Sequence, residues 1–143
     1  MSAKKVVLDT HIFISALIGK KDSYSRLILN NIFDEKIIPL MGEALFHELQ
    51  DVMERDALFA RCALNKLERS DLFEAFLGCC KWTRIYYLWR PNLRDEADNH
   101  LIELAVAGGA ETIITENLRD FTGGELNFPY LKVVTPETFI KEV

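Results

Sequence analysis

An open α/β fold, with a parallel sheet of about five strands and helices on both faces, is predicted by three features of this 143-residue sequence. Short apolar runs alternate with helix-length segments, as parallel strands require, because each must be reached by a crossover. The runs are continuously apolar rather than alternating in polarity, which marks strands buried on both faces. No internal repeat and no linker rich in Pro, Gly or Ser interrupts the chain, so residues 1–143 are expected to form a single domain.

The first element is read from "KKVVLDTHIFISAL": Val6, Val7 and Leu8 form a strand over 6–8 that ends on Asp9, and a helix over 12–17 comes next. A helix over 25–31 leads to a strand over 37–40. Three helices are then expected, over 42–54, 56–66 and 70–81, before a third strand over 84–87. After an irregular stretch at 88–94 comes a helix over 96–107, which Gly108-Gly109 stops. Strands over 112–114 and 132–134 complete the sheet. Thr135-Pro136, an N-cap followed by proline at the first helical position, opens a last helix over 137–141.

Composition narrows the function. The longest apolar runs fall well short of the roughly 20 residues of a membrane span, and Met1 to Lys5 lead straight into a strand rather than a signal-type apolar segment. Cys62, Cys79 and Cys80 are odd in number and lack CxxC spacing, so reduced thiols and a cytoplasmic location are expected. With 17 basic and 22 acidic residues the net charge is −5, which argues against a broad electrostatic grip on nucleic acid and leaves room only for a local site. There is no G-x-G-x-x-G and no P-loop, so a nucleotide site lacks its phosphate cradle. His11, His47 and His100 have no zinc-type spacing with the cysteines.

In an open α/β sheet, ligands bind outside the carboxyl ends of the strands, where strand order reverses. Asp9 stands at such an end, although it or Thr10 could simply cap the next helix. On the 42–54 helix, at about 100° per residue, Met41, Leu45, Leu49, Val52 and Met53 span one arc, with Glu48 at its margin. Glu43, Asp51 and Glu54 point away, and the stem of Glu48 could lie along the core with its head in solvent. On the 96–107 helix the core face is Leu101, Ile102 and Ala105, with Asp98 on the same side and His100 and Glu103 opposite. Asp95 as N-cap with Asp98 three residues into the helix is the competing account of those acids. Thr115, Glu116, Asn117 and Asp120 come after the 112–114 strand, where polar residues also serve turns.

Carboxylates gathered within about 4–6 Å repel one another and drive at least one pKa up unless a cation sits between them. Mg²⁺ or Mn²⁺ relieves that repulsion, takes oxygen ligands and lowers the pKa of a bound water. The chemistry implied is metal-assisted phosphodiester hydrolysis.

In order and spacing, "VVLDTHIFISAL", Glu48 in "FHELQDV" and "RDEADNHLIELAVAGGAETIITENLRDF" resemble a PIN domain, over essentially the whole chain, and within that group the VapC-like toxins of toxin–antitoxin pairs. The resemblance implies a PIN-like fold and a Mg²⁺- or Mn²⁺-dependent ribonuclease with Asp9, Glu48, Asp98 and Asp120 around the metal. It further implies Thr10 and Thr115 placed to hydrogen-bond the RNA phosphate or to hold carboxylates, Asn117 near the RNA substrate, an antitoxin protein as partner, and a homodimer. Two residues depart from the family pattern. His11 stands where Asn is usual and could add positive charge, and Asn117 stands where many relatives carry an acid, which points to one tightly held metal.

The aromatic stretch "KWTRIYYLWRP" suits stacking on bases, but Trp82, Tyr86, Tyr87 and Trp89 around a strand are better read as core or subunit packing. The alternative to an enzyme is a catalytically weak or inactive module of the same fold that binds RNA or a protein. A receiver-type phosphoacceptor fits less well, because Val6-Val7-Leu8 replaces the acidic pair it needs and Thr115 replaces its lysine.

Overall fold

A computed structural model describes residues 3–84, 99–118 and 131–142. Its five strands, β1 (Lys4–Leu8), β2 (Ile37–Met41), β3 (Lys81–Trp82), β4 (Thr112–Ile114) and β5 (Lys132–Val134), form one parallel sheet in the order β3-β2-β1-β4-β5. The α-helices among the described residues are α1 (Thr10–Ile18), α2 (Tyr24–Phe33), α3 (Glu43–Met53), α4 (Lys66–Cys79), α5 (Asn99–Gly108) and α6 (Pro136–Glu142). Successive strand residues point to opposite faces, and Val6 and Val7 are both fully buried, as are Ile113 and Ile114. Both faces of the sheet are therefore covered, as the apolar runs predicted. α5 lies on β1, β2 and β4, while α2 packs on β2 and also meets α1, α4 and α6. No helix among the described residues is long and apolar enough to cross a membrane.

Two of the predicted ends hold in detail. Thr135 Oγ1 accepts from the Thr138 N–H at 3.2 Å, capping α6. At the end of α5, Gly109 takes φ +75°, and the Ala110 N–H reaches back to the Ala105 carbonyl at 2.9 Å, the bond pattern of a Schellman stop.

The segment between α3 and β3 differs from expectation. The helix expected over 56–66 is only a single 3₁₀ turn, Asp56–Phe59. The buried Arg69 fastens this turn and the loop after it: it donates to the Leu64 carbonyl at 3.0 Å, lies 4.5 Å over the Phe59 ring and pairs with Asp56 at 3.8 Å. A reciprocal capping box between Asn65 and Glu68 then starts α4 four residues before the expected position 70. Lys81 does not extend that helix. It and Trp82 pair with Leu40 and Met41 as β3, earlier than the strand expected over 84–87, of which residues 85–87 lie outside the described residues. Trp82 packs at 5.4 Å on Phe46 yet stays half exposed on this outer strand, so it is not a core residue; Tyr86, Tyr87 and Trp89 lie outside the described residues.

α5 departs from a one-sided amphipathic helix. The expected start at Glu96 lies outside the described residues, and five consecutive residues from Leu101 to Ala105 are buried, Glu103 among them. The assignment of His100 and Glu103 to an outer face is therefore corrected. Contacts with α3 and three strands wrap α5 on several sides, so a single-arc rule cannot apply to it.

Candidate functional site

From β1 the chain passes to β2 on one side of the sheet, and from β4 it passes to β5 on the other. The carboxyl ends of β1 and β4 thus flank the topological switch point, where open α/β sheets form their binding crevice. Asp9 directly succeeds β1, and Thr115 directly succeeds β4. The Asp9 N–H donates to the Ile114 carbonyl at 3.0 Å and the Thr115 N–H to the Val134 carbonyl at 2.9 Å, so sheet pairing fixes both backbones up to the rim.

Asp9 occupies the N-cap position of α1, but its side chain caps nothing. Thr115 Oγ1 instead donates to Asp9 Oδ2 at 2.7 Å, across 106 residues of sequence. That hydroxyl in turn accepts the Asn117 N–H at 3.0 Å, which commits its own hydrogen to the carboxylate. Asp9 is 3% exposed and Thr115 is fully buried. A buried carboxylate is costly unless it is paired or ligates a cation, and among the described residues no lysine or arginine pairs with Asp9.

Thr10 does not act as a cap either. Buried at the first position of α1, it donates from Oγ1 to Glu48 Oε1 at 2.8 Å. His100, reached from α5, meets the other oxygen, Oε2, at 2.8 Å. The half-buried Glu48 carboxyl is held below the usual glutamate range by the His100 hydrogen bond first, against the opposing effect of burial, with the Thr10 bond and the charges of His100 and His11 acting in the same direction as His100. A carboxylate can only accept, so His100 donates from Nε2. Its Nδ1 is buried and has no hydrogen-bond partner among the described residues.

Of the predicted residues, the fold thus brings Asp9, Thr10, Glu48 and Thr115 to one rim, with the exposed Asn117 contributing its backbone N–H. Asp95, Asp98 and Asp120 lie outside the described residues. Among the described residues no set of three or more His, Cys, Asp or Glu side chains could hold a metal ion; two carboxylates are what those residues offer. Both donors are oxygen, as Mg²⁺ or Mn²⁺ prefers, so what is present fits a hard cation whose remaining ligands come from elsewhere or from water. The residue that sequence reasoning missed is His100, set aside with the outer face of its helix. Neither its spacing nor its neighbours signals a contact with Glu48, 52 residues away.

A family model described as the PIN domain matches residues 5–119, a range that includes Asp9, Glu48 and Asp98 and stops one residue short of Asp120. The chain is 30% identical over 156 aligned positions to the uncharacterized protein MJ1680 of Methanocaldococcus jannaschii, covering 96% of this chain and 90% of that one. Among solved structures, it is similar to VapBC2 from Rickettsia felis bound to a DNA fragment from their promoter, with a TM-score of 0.58 at 15% identity over 92% of this chain and 98% of that chain. At that identity the likeness is one of fold.

Proposed function

The chain belongs to the PIN domain family, and from that membership we propose that it is a Mg²⁺- or Mn²⁺-dependent endoribonuclease with Asp9, Glu48, Asp98 and Asp120 around the cation. The observation that carries this reading is Asp9, a buried carboxylate at the sheet's switch point, held by a hydroxyl and matched by no cationic side chain among the described residues. When bound there, a hard cation supplies an activated water and charge stabilisation at a phosphodiester. The chain's own part is positional. Thr115 fixes Asp9, Thr10 and His100 fix Glu48, and the sheet holds the backbones of Asp9 and Thr115, so the ligand oxygens need little reorganisation when substrate arrives. Thr10 and Thr115 are buried with their hydroxyl hydrogens committed to Glu48 and Asp9, so of the three residues expected near RNA the exposed Asn117 is the one free to meet a substrate.

Cleavage of a labelled RNA in Mn²⁺ tests this. Wild type should cut and EDTA should stop it, while Asp9→Asn should be inert. Equal cleavage by both proteins would remove the proposed site.

The same reading extends to a toxin neutralised by a protein antitoxin in the cytoplasm, working as a single-domain chain and a homodimer. The fold likeness to VapBC2 supports it, and co-purification with the product of an adjoining reading frame would test it. A second reading, a module that binds RNA or protein without turnover, draws on His11 and Asn117, the first able to add positive charge that opposes a cation and the second supplying no carboxylate. In that case wild type and Asp9→Asn would be equally inert while still binding a partner.

A further inference from the structure

We propose that His100 is a positioning residue that, with Thr10, presets the Glu48 carboxylate for a divalent cation. The inference deepens the metal-nuclease reading and rests on it. Glu48 is reached from two other elements at once, by Thr10 of α1 on Oε1 and by His100 of α5 on Oε2, each at 2.8 Å. A glutamate on a helix surface ordinarily samples many rotamers, and ordering it on binding has an entropic cost. Here that ordering is complete beforehand. Each oxygen spends one lone pair on its donor and keeps another for a ligand. The donors come from separate elements, so the carboxylate plane is fixed as well as its position.

The imidazole is itself constrained. Its side chain is 16% exposed, against 40% for that of Glu48, so the ring lies inward of the group it holds. Nε2 is the donor, and Nδ1 is turned into the protein with no partner among the described residues. Among the described residues the ring thus makes one hydrogen bond, to Glu48. Groups that orient a ligating carboxylate in this way typically alter metal affinity by about 10- to 100-fold when removed.

The test is Mn²⁺ binding to the metal-free protein by calorimetry, for wild type, His100→Gln, His100→Asn and Asp9→Asn, with folding checked by circular dichroism. A glutamine amide nitrogen can take the place of Nε2, whereas the shorter asparagine cannot reach Glu48; both are polar amides of similar packing. His100→Asn should bind Mn²⁺ about 10- to 100-fold more weakly than wild type, and His100→Gln should recover most of the loss. Wild-type affinity in the folded His100→Asn variant, or equal weakening in both His100 variants, overturns the inference while the metal site stands, provided Asp9→Asn has lost binding. A wild type that binds no Mn²⁺, or binds it as well as Asp9→Asn does, overturns the metal reading and this inference with it.

Discussion

Replacing Thr115 by valine tests the part of the site that holds Asp9. The substitution keeps the branched shape of a fully buried side chain and removes the donor 2.7 Å from Asp9 Oδ2, together with the acceptor for the Asn117 N–H. A hydrogen bond to a charged group contributes about 1.5–3 kcal/mol, and water can re-satisfy the Asn117 N–H at the exposed rim, so Thr115→Val should lose about 2–3 kcal/mol. Thr115→Ser is the control. It keeps the hydroxyl and removes one buried methyl, for about 1 kcal/mol. Urea unfolding in EDTA, with the midpoint and slope of each variant compared, reads both numbers. If valine is tolerated as well as serine, the hydroxyl does not carry Asp9 and the reasoning fails.

Two further outcomes rest on the same geometry. Gly108→Ala should destabilise by about 1–2 kcal/mol in urea, although alanine ordinarily gains about 1 kcal/mol over glycine in a helix; a Cβ there would overlap the buried Leu40 Cδ1 and stand 3.0 Å from Thr83 Oγ1. Glu48 has a folded pKa below its unfolded value, so its contribution is present above the unfolded pKa and is lost as pH falls through the folded one. In metal-free protein the stability gap between wild type and Glu48→Gln should accordingly close on acidification below the ordinary glutamate pKa of 4.5, and a gap that widens there would contradict the assigned sign.

Much of this was legible in the sequence because buried parallel strands leave an unambiguous trace. The runs at Val6–Val7–Leu8 and Thr112 to Ile114 gave the centre of the sheet, and with it the placement of Asp9 and Thr115 at one rim. Glu48 was legible as the marginal residue of a clearly one-sided helix, α3. His100 was not, because α5 is enclosed by a helix and three strands and has no single polar face to read. The stretch after α3 departs from its sequence pattern for a related reason: one buried arginine, Arg69, fastens a 3₁₀ turn and a loop where local preference favours a helix. Whether Asp9 and Thr10 served as caps could not be decided from position, since caps and ligands fall at the same end of a strand. Only the direction of each side chain, toward Thr115 and Glu48, decides it.

If Asp9 and Glu48 share a divalent cation as proposed, the urea midpoint of wild type and Asp9→Asn, with and without Mn²⁺, reads it directly. At a free Mn²⁺ concentration 100 times its Kd, wild type should gain about 2.7 kcal/mol, and Asp9→Asn should gain almost nothing. In EDTA, Asp9→Asn should be at least as stable as wild type, since it removes a buried charge with no cationic partner among the described residues. Equal stabilisation of both proteins by Mn²⁺, or none in wild type, would show that Asp9 holds no cation.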